Sequence, residues 1–169
     1  MSPGRARHAF MLVTSLLLCS LVLLLGMGFL GSRVGQYQSA IQASLAARAR
    51  WVARAGLEDA RAKLQRDIHF PPHPSQQQTA YSYTEDLYDL SSPPQYVGTY
   101  DVQLDSSHDI PNLRVLTVLS RGQVPALGQG PGSPPLACHS FRMCIDVTPS
   151  SFDQVRYFPL LRFDDLGAL

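Results

Sequence analysis

Residues 10–31, FMLVTSLLLCSLVLLLGMGFLG, are an uninterrupted apolar run without a charged residue, preceded by Arg5, Arg7 and His8. At about 1.5 Å per residue these roughly 22 positions give a helix of about 33 Å, the thickness of a bilayer's hydrocarbon core. The run therefore predicts a transmembrane helix. A secretory signal peptide shares the order of basic then apolar residues, but its apolar stretch is shorter, about 7 to 15 residues, and closes on an A-x-A pattern that is absent here.

Beyond the apolar run the pattern changes period without changing element. From Ser32 to about Ile68 the chain is rich in Ala, Gln, Leu and Arg and has no proline, which favours continued helix. Larger apolar residues recur at Val34, Tyr37, Ile41, Leu45, Val52, Leu57 and Leu64, with Ala60 in a gap, and their spacing marks one helix face. Arg50, Arg54, Arg61 and Arg66 fall largely off that stripe. Gly35 and Gly56 each cost about 1 kcal/mol relative to alanine, so local bending or melting is expected there. His69, Phe70, Pro71, Pro72, His73 and Pro74 stop the helix by removing backbone donors and the α-region angles before each proline. Residues 10–68 as one helix would extend about 88 Å, well beyond what a membrane requires.

Residues 70–94 read as a Pro- and Gln-rich connector, with a short helical turn expected around Thr84 to Leu90 and Thr84 as its cap. From Gln95 the period becomes two. In YVGTYDVQLD, Tyr100, Val102 and Leu104 alternate with Asp101, Gln103 and Asp105, as in a half-buried strand. NLRVLTVLSRG is apolar on both faces and predicts a central strand, joined to the first by hairpin material, SSHDIPN. The Gly/Pro-rich stretch 125–135 predicts a long exposed loop. HSFRMCIDV is a third strand with Phe141, Met143, Ile145 and Val147 on one face, and QVRYFPLLRF a fourth whose Pro159 suits an edge. Such a sheet needs a helix to cover one face, and the amphipathic second half of the long helix is the candidate. The expected fold class is α+β: a transmembrane-to-amphipathic helix with a small, mainly antiparallel sheet packed on its C-terminal half. The parts are a basic leader (1–9), the span (10–31), its amphipathic continuation (32–69), the connector (70–94) and a β-rich domain (95–169).

Composition narrows the function classes. Charged residues make up 16% of the 169 and the net charge is +1, and no Lys/Arg run is interleaved with aromatics, so no nucleic-acid partner is expected. The short basic leader places the N-terminus in the cytoplasm and the C-terminal part across the membrane. Cys19 reads as a small apolar residue inside the span. In an oxidising compartment Cys138 and Cys144 are disulfide candidates. On one straight strand they would be about 20 Å apart, against the roughly 7 Å between Cα atoms that a bridge tolerates, so the bond requires residues 137–140 to fold back as a loop.

Candidate ligand sets are incomplete. Glu85, Asp86 and Asp89 lack the spaced oxygen ligands and central glycine of a calcium loop and read as a solvated acidic turn. His139 between the cysteines, or His69 with His73, lacks the four-ligand spacing of a structural zinc site. GQGPG has no Lys or Ser/Thr after it in the P-loop position and is not a phosphate cradle. Neither a Gly-x-Ser-x-Gly elbow nor a His-Glu-x-x-His pair is present, and no metal, cofactor, small-molecule substrate or catalytic role is expected.

The order of basic leader, apolar-then-amphipathic helix and C-terminal sheet resembles type IV pilins and the pseudopilins of type II secretion. The resemblance is clearest at RARHAFMLVTSLLL and AARARWVARAGLEDARAKL, the latter similar to the junction region of minor pilins active in pilus assembly. YVGTYDVQLD and VLTVLSRGQV resemble the paired strands that come next in that group, with Ser120, Arg121 and Gly122 in the place of its Ser-x-Gly. The resemblance implies a peptidase cleavage between Ala9 and Phe10, where the family has Gly before the cut. It places Thr14 where the family usually carries a Glu that neutralises a neighbouring subunit's terminal amine. Tip subunits of the related secretion systems are similar in lacking that Glu. The resemblance thus implies either a subunit placed first in a fibre, its partners other pilins through the N-terminal helix and membrane lipid, or an uncleaved relative. The implied location is a bacterial inner membrane with the C-terminal domain in the periplasm. The alternative is a membrane-anchored extracytoplasmic binding or adaptor domain outside any fibre.

Overall fold

A computed structural model describes residues 3–67, 70, 79–107, 114–126, 128–148 and 159–168, with side chains from residue 11 onward. One helix, α1 (Pro3–Arg66), precedes five strands: β1 (Ala80–Tyr88), β2 (Tyr96–Asp105), β3 (Val115–Val124), β4 (Ala137–Asp146) and β5 (Leu160–Gly167). The chain divides into two compact units, Met1–Gln42 and Ala43–Leu169.

Among the described residues the first unit is helix alone. Its apolar side chains from Met11 to Leu30 are exposed, as are Val34 and Tyr37. Helix is unbroken at Gly35 and also, in the second unit, at Gly56, so the expected melting does not occur at either glycine. The last turn carries Lys63 and Arg66, cations that favour the negative end of the helix dipole, and the Asp67 amide donates to the Lys63 carbonyl at 2.9 Å.

In the second unit the strands form a meander in the order β1-β2-β3-β4-β5, every neighbouring pair antiparallel. The register sets Val102 opposite Ser120 and Ser120 opposite Phe141, and Leu104 opposite Val118 and Val118 opposite Met143. Directly opposed residues share a sheet face, so these form continuous rows, apolar except at the buried Ser120. The rows pack on α1 at Ala49, Val52, Ala53, Leu57, Ala60 and Leu64, all buried. Burying each Val or Leu there contributes about 1.5 to 3 kcal/mol.

Small residues set the distance between helix and sheet. A methyl group added at Gly122 of β3 would lie 2.3 Å from the Ala53 amide nitrogen and 2.4 Å from the Ala49 carbonyl oxygen, so the helix backbone rests directly on that glycine. One added at Gly56 would meet the Ser120 hydroxyl at 2.4 Å and the Tyr100 ring at 2.9 Å. Gly56 is a contact surface, where the sequence suggested a point of weakness.

Two expectations change. The region read as connector contains β1, so Thr84 caps no helical turn; it lies mid-strand opposite Asp101, and the sheet has five strands where four were expected. The sheet also covers a shorter part of the predicted apolar stripe: Leu45 is half-buried, whereas Val34, Tyr37 and Ile41 are exposed. The fourth expected strand begins after Pro159 and is β5, an edge; residues 154–158 lie outside the described residues, as does 108–113 of the hairpin material.

Candidate functional site

Met11–Arg66 is long and apolar enough to cross a membrane, and its exposed large apolar side chains are concentrated between Met11 and Leu30. A continuous exposed apolar surface of this length is compatible with a single membrane span, and a signal sequence near an N-terminus has the same character. The hydroxyls within it are turned inward on their own helix: Thr14 Oγ1 donates to the Met11 carbonyl at 3.0 Å, Ser15 to Leu12 at 3.0 Å and Ser20 to Leu17 at 2.8 Å. Hydroxyls satisfied in this way enter hydrocarbon at lower cost than unpaired ones. Thr14 is thus accommodated as a lipid-compatible residue. Ala9 and Phe10 lie in α1, and their side chains are outside the described residues.

At the far end of α1 a polar network ties the helix to β1 and β2. Lys63 pairs with Asp59 at 2.7 Å and with Glu85, and its ammonium sits 3.9 Å from the centre of the Tyr83 ring. The Tyr83 hydroxyl donates to Asp59 at 2.9 Å and the Tyr100 hydroxyl to Glu85 at 2.8 Å. Burial, then the bond to Asp59, raises the Tyr83 pKa well above the ordinary phenol value; burial, then the bond to Glu85, does the same for Tyr100. Desolvation opposes the Lys63 charge, but the hydrogen bonds it donates to Asp59 and Glu85 outweigh that and hold the pKa above the usual lysine value.

All three groups bind their protons more tightly folded than unfolded. Their stabilisation is therefore complete below the unfolded values and declines as pH rises through the folded ones. The melting temperature should stay level to about pH 9 and fall beyond about pH 10, and the fall should be shallower in Tyr83→Phe. Thermal melts followed by circular dichroism check this; an equal alkaline fall in Tyr83→Phe would remove the assigned role of that phenol.

The acidic candidates separate. Glu85 belongs to the network just described, Asp86 accepts from Thr99 at 2.6 Å, and Asp89 closes a turn by accepting from Ser91 and Gln95. Those hydrogen bonds, Ser91 foremost, hold the Asp89 pKa below the usual carboxylate range. Cys138 and Cys144 are free thiols on β4, which runs straight through residues 137–140 where the disulfide needed a loop. Along the strand they are about 20 Å apart, and no bridge joins them. His139 faces away from both sulfurs, in the row of Phe141, with its Nε2 2.8 Å from Asp165 Oδ1. His69 and His73 lie outside the described residues, and among the described residues no three His, Cys, Asp or Glu side chains gather as a metal site.

The outer sheet face holds a cleft of about 470 Å³ that sequence reading missed, between Thr84, Asp86, Thr99 and Asp101 on β1 and β2 and the loop at 131–135. Its two carboxylates accept from Thr99, Thr84 and Gln123, each at 2.6 Å. The missing signal was β1 itself, since a cleft wall cannot be assigned to a segment read as connector. Comparisons of the chain with protein-family models, curated proteins and solved structures find no match.

Proposed function

We propose that the chain is a membrane-anchored, pilin-like subunit that acts in assembly or initiation of a type IV pilus or type II secretion pseudopilus. The supporting observation is a helix whose first part is apolar and exposed and whose last part is the floor of an antiparallel meander sheet. In this reading the apolar segment packs against other pilin helices within the bilayer, where small residues such as Ser20, Gly26 and Gly28 allow close approach; an added methyl at either glycine meets nothing within 4 Å. The corresponding location is a bacterial inner membrane with the sheet in the periplasm. Mechanism is then mechanical: the membrane segment supplies lateral packing, and the sheet domain selects the neighbour.

Thr14, in place of the usual acidic residue, suits a subunit at the start of a fibre, because a tip has no subunit above it to neutralise. Ala9 in place of the usual Gly favours the second reading, an uncleaved membrane-tethered adaptor. Mass spectrometry of the intact protein purified from membranes separates the two. A mature chain beginning at Phe10 is the expected result; a chain retaining residues 1–9 would overturn fibre entry and leave the adaptor.

A further inference from the structure

The cleft on the outer face of the sheet has a hydrogen-bond polarity that bears on its ligand. Two carboxylates line it, Asp86 of β1 and Asp101 of β2, and no Lys, Arg or His does. Asp86 opposes Thr99 and Asp101 opposes Thr84 in the register. The carboxylates are therefore diagonal neighbours on one face, about 7 Å apart between Cα atoms. The volume of about 470 Å³ falls within the roughly 300 to 1,000 Å³ of ligand sites.

Following the protons shows what the cleft has left to offer. The Thr99 hydroxyl donates its one proton to Asp86 Oδ1 at 2.6 Å, and the Thr84 hydroxyl donates its own to Asp101 Oδ1 at 2.6 Å. Thr99 also bonds the Tyr96 hydroxyl, and because the threonine proton is already committed, Tyr96 is the donor there. Gln123 gives an amide proton to Asp101 Oδ2 at 2.6 Å. These three hydroxyls thus spend their protons inside the wall of the cleft. What they leave for a ligand is acceptors: the second oxygen of Asp86, which accepts from none of the described residues, and the spare lone pairs of Asp101, Thr84 and Tyr96.

We propose that the cleft binds a guanidinium group, the arginine side chain of a partner protein. A wall of acceptors carrying two carboxylates matches a ligand that is positive and rich in donors, and a guanidinium has five N–H donors in one plane and no acceptor. Beside the carboxylates, the Tyr96 ring and Pro131, Pro134 and Pro135 supply apolar surface. A planar, weakly hydrated cation stacks on such surface at lower cost than a compact ammonium. The donor set does not suit a metal, because among the described residues no third His, Cys, Asp or Glu joins the two carboxylates. Arg121 stands opposite Asp101 on β3, but it is exposed, does not line the cleft and forms no ion pair with Asp101, so the protein's own guanidinium leaves the site open. The cleft lies wholly within the second unit, and its ligand class is independent of the pilin-like reading.

Titration of the isotope-labelled full-length protein in detergent micelles with N-acetyl-arginine amide tests it, read as NMR shifts of backbone amides. Saturable shifts are expected at Thr84, Asp86, Thr99 and Asp101. N-acetyl-citrulline amide has the same shape without the charge and should bind at least about tenfold more weakly, and N-acetyl-lysine amide about threefold more weakly. Asp86→Asn keeps an acceptor for Thr99, so it should fold as the parent does by circular dichroism while weakening the arginine probe about tenfold. Glu58→Gln, which removes an exposed carboxylate of α1, should leave that affinity within about twofold. No saturable shift at the four amides overturns the assignment, as does citrulline or lysine amide binding as tightly as the arginine probe. Parental affinity in Asp86→Asn, or equal weakening in Glu58→Gln, overturns it as well.

Discussion

Gly122→Ala is expected to destabilise the sheet-bearing unit by about 3 kcal/mol, lowering its melting temperature by about 10 °C. The new methyl group would lie 2.3 Å from the Ala53 nitrogen and 2.4 Å from the Ala49 oxygen. Both are backbone atoms of α1, so no side-chain rotation relieves the overlap, and the helix must lift from β3. Lifting it opens space beside Val52, Leu57, Val118 and Val124, whose burial accounts for much of the core. The cost therefore combines strain with lost packing. Gly130→Ala is the control: its added methyl meets nothing within 4 Å, and it should change stability by less than about 0.5 kcal/mol. Chemical denaturation with both variants checks the pair, and equal stability of Gly122→Ala and the parent would remove the close helix-sheet contact from the account.

Arginines placed in the apolar segment should have the largest effect of any substitution. Leu18→Arg together with Val22→Arg is expected to oppose insertion by about 6 kcal/mol, at about 3 kcal/mol for each cation near the centre of a span. Carbonate-washed membranes from cells expressing this variant should lose most of the protein that the parent chain leaves there. Retention of the double variant at parental levels would mean that residues 11–30 are not an anchor in hydrocarbon, whatever their exposure.

Sequence carried the main outline because its strongest signals were long and periodic. The apolar run, the alternation in β2 and the rows Phe141–Met143–Ile145 each repeat one rule over many residues, and the structure buries Tyr100, Val102, Leu104, Phe141, Met143 and Ile145. β1 was hidden by a single residue. Tyr81, Tyr83 and Leu87 keep a period of two, but Glu85 occupies the third inward position, and its reason for being there is Lys63, 22 residues earlier. A charged residue whose partner is distant breaks a local pattern and is read as solvent-exposed.

The contact at Gly122 was hidden differently. Reading the helix for large apolar residues picked out Val52, Leu57 and Leu64, which flank the contact, while the closest approach runs through Ala49, Ala53 and Gly56. Small residues carry little hydropathy, so their role appears once the opposing strand is in place. The same limit applied to Cys138 and Cys144, whose fate depended on whether residues 137–140 were loop or strand. The cleft above β1 and β2 depended on both the hidden strand and the path of the 131–135 loop, and neither has a local signature.

The central claim is that residues 49–64 of α1 belong to the core of the sheet unit while residues 32–42 are helix with solvent on their flanks. Hydrogen exchange of the full-length protein in lipid nanodiscs, resolved to short peptides, tests it most directly. Amides of residues 49–64 should exchange with the slow, shared protection of β2, β3 and β4, at least about 100-fold slower than those of residues 32–42, and Gly122→Ala should accelerate both helix and strands together. Exchange of residues 49–64 as fast as that of residues 32–42, with the strands still protected, would contradict the account.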